Sequence, residues 1–281
     1  MGKYFGTDGF RGEANCNLTA DHAFKVGRFL GWYYTQLKRR SGSDGPARIV
    51  IGKDTRRSSY MFEYSLVGGL VASGADAYLL HVTTTPSVAF VVRTEGFDCG
   101  IMISASHNPY YDNGIKLINS FGEKMDESVI TLVEAYLDGE LEAFGHKWEE
   151  LPLAKRDQIG RTVDHVSGRN RYIGYLISLG MYSFKGIKVG LDCANGASWN
   201  IAKSVLTRWV PRPTSSMLSP TATTSTPTPA PPILRCCSAM SSTTVWMLAS
   251  PTTATQTAAC AWTKRATSSP ATIFSISTAS T

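Results

Sequence analysis

The sequence predicts an α/β protein: a three-layer α/β/α domain with a mixed, mostly parallel sheet, then a truncated second α/β domain and a disordered tail. Three observations carry this. Short apolar runs of strand length alternate with amphipathic helical stretches through the first half of the chain. The alternation resumes after a charged stretch around Glu149 to Arg161. Composition then changes abruptly after Leu206. The chain accordingly divides into residues 1–150, the first domain; 151–206, a linker and the start of a second domain; and 207–281, the tail.

Taken in order, Thr19 is an N-cap, and Ala23, Val26, Leu30, Tyr33 and Leu37 follow at helical spacing, predicting a helix over 20–38. Ser41 to Pro46 ends it, and Ile49-Val-Ile51 reads as a buried strand. A helix is expected from Ser59 to Ser73, a strand from Ala77 to Val82 and a helix from Ser87 to Thr94. A strand from Gly100 to Ser104 leads into a loop, a turn at Asp112-Asn113-Gly114 and a strand from Ile115 to Ile118. Strands and helices alternating at these lengths imply a sheet covered on both faces. In the second unit, residues 165–180 read as helix, Ile187 to Leu191 as strand, and Ala197 to Leu206 as the beginning of another helix. No period follows Leu206.

All 25 glycines, all 22 acidic residues and all five histidines lie at or before Leu206. Residues 207–281 hold nine of the 13 prolines and 31 serines or threonines. Such a composition cannot bury enough apolar surface to offset the entropy of ordering, which is why the tail is expected to be disordered. The net charge of +6 divides as +1 for residues 1–206 and +5 for the tail. The tail's Arg208, Arg212, Arg235, Lys264 and Arg265 are scattered, so the basic excess forms no patch and no nucleic-acid partner is expected. No apolar run approaches the roughly 20 residues that cross a bilayer, so no membrane partner is expected either. Six cysteines without a signal peptide point to reduced thiols and a cytoplasmic location, with neither disulfide nor zinc.

The most informative segment is Gly100-Ile-Met-Ile-Ser-Ala-Ser-His-Asn-Pro-Tyr-Tyr-Asp-Asn-Gly-Ile-Lys116. A buried strand delivers Ser106 to its C-terminal end, where α/β proteins place ligands. The adjacent Ser106 and His107 decide little alone, because neighbours in sequence seldom point at one another. The longer pattern, Ser-Ala-Ser-His-Asn-Pro followed by Asp-Asn-Gly-Ile-Lys, resembles the phosphoserine loop of the phosphohexomutase superfamily. The opening Phe5-Gly-Thr-Asp-Gly-Phe-Arg-Gly12 resembles the start of its phosphoglucosamine mutase branch. The resemblance continues through Gly52-Lys-Asp-Thr-Arg-Arg-Ser58, Thr84-Thr-Pro86 and Leu191-Asp-Cys-Ala-Asn-Gly-Ala197, covering nearly all of residues 1–206.

That resemblance implies an isomerase acting on a hexosamine phosphate. Ser106 would carry a phosphoryl group, pass it to the sugar to give a bisphosphate, and take the other phosphate back, interconverting glucosamine 6-phosphate and glucosamine 1-phosphate. Lys116 matches the family lysine that assists proton transfer, Arg11 the arginine near the phosphoserine, and His107 and Asn108 loop-shaping and substrate-positioning residues. The resemblance also implies Mg²⁺, held by the phosphoserine at Ser106 and by three aspartates of an Asp-Gly-Asp-Ala-Asp-Arg loop in the second domain, oxygen ligands such as this ion prefers. A third domain would carry sugar selectivity and a fourth would grip the distal phosphate.

The aspartate loop is missing from the sequence as written. If one nucleotide was lost near codon 206, the first two letters of each later codon are the last two of an original one. Thr252-Thr-Ala-Thr-Gln-Thr-Ala258 can then be Tyr-Asp-Gly-Asp-Ala-Asp-Arg at all seven positions, and Pro229 to Arg235 can be Ala-Gly-Ser-Thr-His-Ile-Glu. A frameshift between Val205 and Arg208 is therefore expected, with the later domains absent and no turnover by the chain as written. Within the superfamily a phosphomannomutase or phosphoglucomutase is the alternative; outside catalysis, a fragment that only binds a phosphosugar.

Overall fold

The computed structural model describes residues 2–43, 45–181, 188–193, 195–209, 244–249, 259–262 and 273–276. The chain opens with a hairpin, β1 (Phe5–Gly6) and β2 (Gly9–Glu13), in which Phe5 faces Phe10. Helix α1 (Ala20–Arg40) starts at a reciprocal cap: Thr19 Oγ1 accepts from the His22 amide and His22 Nδ1 accepts from the Thr19 amide, each at 3.3 Å. Its last turn carries Lys38, Arg39 and Arg40, which complement the negative end of the helix dipole.

There follow β3 (Arg48–Lys53), α2 (Arg57–Ala72), β4 (Asp76–Val82), α3 (Thr85–Glu95), β5 (Cys99–Ile103), β6 (Asp112–Ile118) and α4 (Glu127–Leu137). A small hairpin, β7 (Leu141–Ala143) and β8 (His146–Trp148), precedes β9 (Thr162–Asp164) and α5 (Val166–Ser178). Seven strands form one sheet in the order β1-β2-β6-β5-β3-β4-β9. Its centre is parallel, with β3 beside both β4 and β5, and β9 extends it in parallel beside β4; β6 and the opening hairpin run antiparallel.

Both faces are buried, as the continuous apolar strands require. On β3, Ile49 and Ile51 pack with Phe29 and Leu30 of α1, Phe62 and Leu66 of α2, and Val133 of α4. Val50, pointing the other way, packs with Val88, Val91 and Val92 of α3. Helix α5 lies against α3. The predicted three-layer α/β/α domain with its mixed, mostly parallel sheet is thus what the chain forms. Because β3, β4 and β5 are parallel, their C-terminal ends at Lys53, Val82 and Ile103 come to one edge, and the candidate site lies there.

Three expectations differ from the structure. The turn read at Asp112-Asn113-Gly114 is the first part of β6, paired with Glu13, Gly12 and Arg11 of β2. Local turn propensity loses to the ladder because the Asn113 side chain is satisfied inside the protein, donating to Ser58 Oγ at 2.8 Å and Ser59 Oγ at 3.0 Å. The first sheet also takes in Thr162–Asp164, within the 151–206 stretch assigned to linker and second unit. The expectation of no regular element after Leu206 meets a helix and three strands. After β10 (Lys188–Asp192), α6 (Trp199–Trp209) runs past Leu206, and β11 (Thr244–Ala249), β12 (Ala259–Trp262) and β13 (Ile273–Ile276) continue a four-stranded sheet begun by β10. Strands β11 and β13 carry short runs of aromatic and β-branched residues, among them Val245, Trp246, Ile273 and Phe274, too brief for a periodic signal; β12 has Trp262 alone. The remainder of 207–281, the shifted aspartate motif at 252–258 included, lies outside the described residues, as does Ile187 at the start of the predicted strand.

Candidate functional site

The loop 104–111 joins β5 to β6 at the C-terminal edge of the sheet. Ser104, buried at the strand end, donates its amide to Gly114 O at 2.8 Å, and its hydroxyl accepts the Ser106 amide at 3.0 Å. That bond closes a tight turn in which Ser106 adopts φ 61°, the left-handed region. A non-glycine residue there costs about 1–2 kcal/mol, so the surrounding bonds must hold it. The Asn108 amide donates to Ala105 O and the Asp112 amide to Pro109 O, both at 3.1 Å; Asn108 Nδ2 donates to Asp112 Oδ2 at 2.9 Å. Asn108 therefore shapes the loop through its side chain, while His107 is exposed upon it.

Arg11 and Lys116 come from the neighbouring strands. Arg11 on β2 sits opposite Gly114 on β6, and Lys116 sits opposite Met102 on β5. Glycine is needed at 114: a Cβ there would lie 2.9 Å from Ser104 O and 3.1 Å from Arg11 Cγ, blocking the path of the arginine across β6. Gly9, at φ 96°, makes the corresponding room beside Lys116 Cγ. Arg11 Nη2 pairs with Asp8 Oδ2 at 3.0 Å, and its buried Nε has no hydrogen-bond partner. Two cations thus lie within two strand positions of the carbonyl that holds Ser104.

Burial first, and then the Arg11 guanidinium, hold the Lys116 ammonium below its ordinary 10.5, with Asp8 and Asp54 opposing. The folded state therefore binds this proton less tightly than the unfolded chain does. In the alkaline window below 10.5 the unfolded state carries more protons, and the stability contributed through Lys116 rises with pH. The variant Lys116→Met, free of the desolvation cost, is expected to melt above the parent near about pH 7, the gap narrowing toward about pH 10. Melting curves at the two pH values check this, and a gap that widens contradicts it.

The loop is also gripped from below by Arg56 and Asp54, both within the Gly52–Ser58 segment, to which the sequence assigned no role. Arg56, at the end of the β3–α2 turn and 9% exposed, donates Nη1 to Pro109 O at 2.6 Å and Nη2 to Ser106 O at 2.9 Å and Asn108 O at 3.0 Å. Asp54 accepts from Arg56 Nε at 2.9 Å, from the Arg56 amide at 3.0 Å and from Ser59 Oγ at 2.6 Å. Beside them Thr55 Oγ1 donates to Asn195 O at 2.8 Å, linking this turn to the Asn195-Gly196 segment.

Of the five residues singled out in the sequence, Ser106, His107 and Asn108 lie on one loop, and Arg11 and Lys116 on the strands flanking its end. The Ser106 loop thus joins two strands, one of which carries Lys116, and Arg11 lies on the next strand. Among the described residues no group of three or more His, Cys, Asp or Glu side chains comes together as a metal site, and Asp54 and Asp8 are engaged with arginines. The described residues therefore do not fit a magnesium site. Among them, too, no helix is long and apolar enough to cross a membrane.

Residues 2–143 match the family described as Phosphoglucomutase/phosphomannomutase, alpha/beta/alpha domain I. A phosphoglucosamine mutase of Lachnospira eligens is 71% identical over 205 residues, which are 73% of this chain and 43% of that protein. One of Lachnoclostridium phytofermentans is 65% identical over the same shares. The chain thus spans less than half the length of these curated relatives. Among solved structures, a putative phosphomannomutase from Thermus thermophilus superposes with a TM-score of 0.65 at 20% identity, over 92% of this chain and 56% of that one, a likeness of fold.

Proposed function

Because the chain belongs to the phosphoglucomutase/phosphomannomutase family, we propose that residues 1–206 are the phosphoserine-bearing part of a phosphoglucosamine mutase. The observation that carries the proposal is the 71% identity to a phosphoglucosamine mutase over 205 residues, the N-terminal 73% of this chain, which includes the Ser106 loop. In this reading the C1 hydroxyl of glucosamine 6-phosphate attacks the phosphorus on Ser106. The bond from phosphorus to Ser106 Oγ breaks, the sugar hydroxyl gives up its proton, and glucosamine 1,6-bisphosphate results. After the bisphosphate turns over, Ser106 Oγ attacks the 6-phosphoryl group, and the sugar leaves as glucosamine 1-phosphate.

Phosphoryl transfer needs positioning and charge compensation more than covalent help. Arg11 supplies a fixed positive charge. Lys116, its proton loosened by burial, is suited to give and take the proton that moves between hydroxyl and loop. His107 is assigned to meet the sugar, which its exposure on the loop supports, and Asn108 to keep the loop's shape, which its bond to Asp112 supports.

The aspartate ligands are assigned to the other reading frame of residues 252–258, as the seven-position correspondence supports. For the frame as written, the lack of an acidic cluster among the described residues favours a second reading, phosphosugar binding without turnover. One experiment separates the two. A single nucleotide inserted between codons 205 and 208, with the native downstream DNA attached, is expected to encode a protein that converts glucosamine 6-phosphate to its 1-phosphate given Mg²⁺ and a bisphosphate primer. The 281-residue chain is expected to show no conversion. Conversion by the uncorrected chain would overturn the assignment of the metal loop, and none by the restored protein would overturn the mutase reading.

A further inference from the structure

The proposed reaction requires a serine oxygen held in line with a moving phosphorus, yet Ser106 sits on a loop in a left-handed backbone conformation. Within the loop, the Ser106 amide meets Ser104, the Asn108 amide meets Ala105, and the Asn108 side chain meets Asp112. These bonds fix the amides. The carbonyls of Ser106, Asn108 and Pro109 turn inward, and all three accept from one guanidinium, that of Arg56, at 2.6–3.0 Å.

We propose that Arg56 is a positioning residue for Ser106, a clamp that fixes the loop's backbone so that the Ser106 oxygen stays in register with the incoming phosphorus. The inference rests on the phosphoserine reading given above. Three features make the clamp rigid. Arg56 leaves the chain at the N-cap of α2, with extended backbone, so its root is fixed by a sixteen-residue helix. Its Nε is held by Asp54, which also accepts from the Arg56 amide and Ser59 Oγ. Ser59 in turn receives Asn113 Nδ2 at 3.0 Å from β6, so the clamp is tied to the strand carrying Lys116 as well as to the loop carrying Ser106.

The fork geometry is the essential part. A planar guanidinium directs five N–H donors in fixed directions, whereas a lysine ammonium is a point charge with three rotating donors. Arg56→Lys therefore keeps the charge opposite Asp54 and loses the simultaneous grip on three carbonyls. The neighbouring Arg57, exposed on the first turn of α2, makes a matched control.

In the full 281-residue chain, Arg56→Lys is expected to speed amide hydrogen exchange at Ser106, Asn108 and Asp112 by about tenfold. The amides of β3, β5 and α1 should be unchanged, and Arg57→Lys should alter neither set. In the frame-restored protein the same change is expected to lower kcat roughly a hundredfold while KM stays within about threefold, because misplacement of a reacting atom acts on the transition state. Unchanged loop exchange overturns the clamp. Acceleration spread over all strands and helices overturns it too, since it marks a merely structural role. Faster loop exchange with unchanged kcat overturns positioning. A frame-restored wild-type protein without turnover overturns the functional reading and this kinetic consequence together, while the exchange result still decides the clamp. Should Arg56→Lys fail to fold, the paired change Asp54→Asn with Arg56→Gln, which removes both charges at once, gives the same comparison.

Discussion

Ser106→Ala in the frame-restored protein is expected to abolish turnover and leave no phosphate on the loop, because it removes the oxygen to which phosphorus is bonded. Ser104→Ala is the informative comparison. Its hydroxyl accepts the Ser106 amide at 3.0 Å inside the buried strand end. Its loss removes one bond holding the left-handed turn but no reacting atom. The expected cost is about tenfold in kcat, the scale of one neutral hydrogen bond. Coupled assays of glucosamine 1-phosphate formation compare the two, and equal, complete loss in both variants would mean that the phosphoryl acceptor has been misassigned.

The second large effect concerns stability. Asp54→Ala is expected to destabilise the fold by about 3–5 kcal/mol, because it leaves the Arg56 guanidinium buried without its counter-charge. Both side chains of that pair are 10% exposed, so water cannot easily replace the carboxylate. The Ser59 hydroxyl and the Arg56 amide lose their acceptor in the same step. Equilibrium denaturation in urea checks the figure. A loss below about 1 kcal/mol, the usual scale of an exposed pair, would mean that solvent reaches the site.

The layers of the fold were legible because local pattern and tertiary structure agree there. Ile49-Val-Ile51 is a strand buried on both faces, and the helix begun at Thr19 has the cap and the spacing of its buried positions written in the sequence. The position of Ser106 on a loop at the C-terminal end of a buried strand was legible from the apolar run before it. The clamp beneath it was not: Arg56 meets the loop 50 to 53 residues away, by a contact that exists only because β3 and β5 pair in parallel. No spacing rule reports such a contact. Asp112-Asn113-Gly114 misled for the opposite reason. Its turn chemistry is genuine, but Asn113 Nδ2 donates to the Ser58 and Ser59 hydroxyls, and Gly114 is small so that Arg11 can cross it. Strand β9 is three residues long and takes its place from pairing with Ala77, Tyr78 and Leu79.

The central claim is that Ser106 is the phosphoryl carrier of a phosphoglucosamine mutase, and peptide mapping tests it most directly. The frame-restored protein is incubated with glucosamine 1,6-bisphosphate and Mg²⁺, quenched, digested, and the phosphate located by mass spectrometry. The predicted result is a single phosphoryl group on Ser106, absent from Ser106→Ala and discharged when glucosamine 6-phosphate is added. Phosphate on any other residue, or phosphate on Ser106 that glucosamine 6-phosphate does not remove, would contradict it.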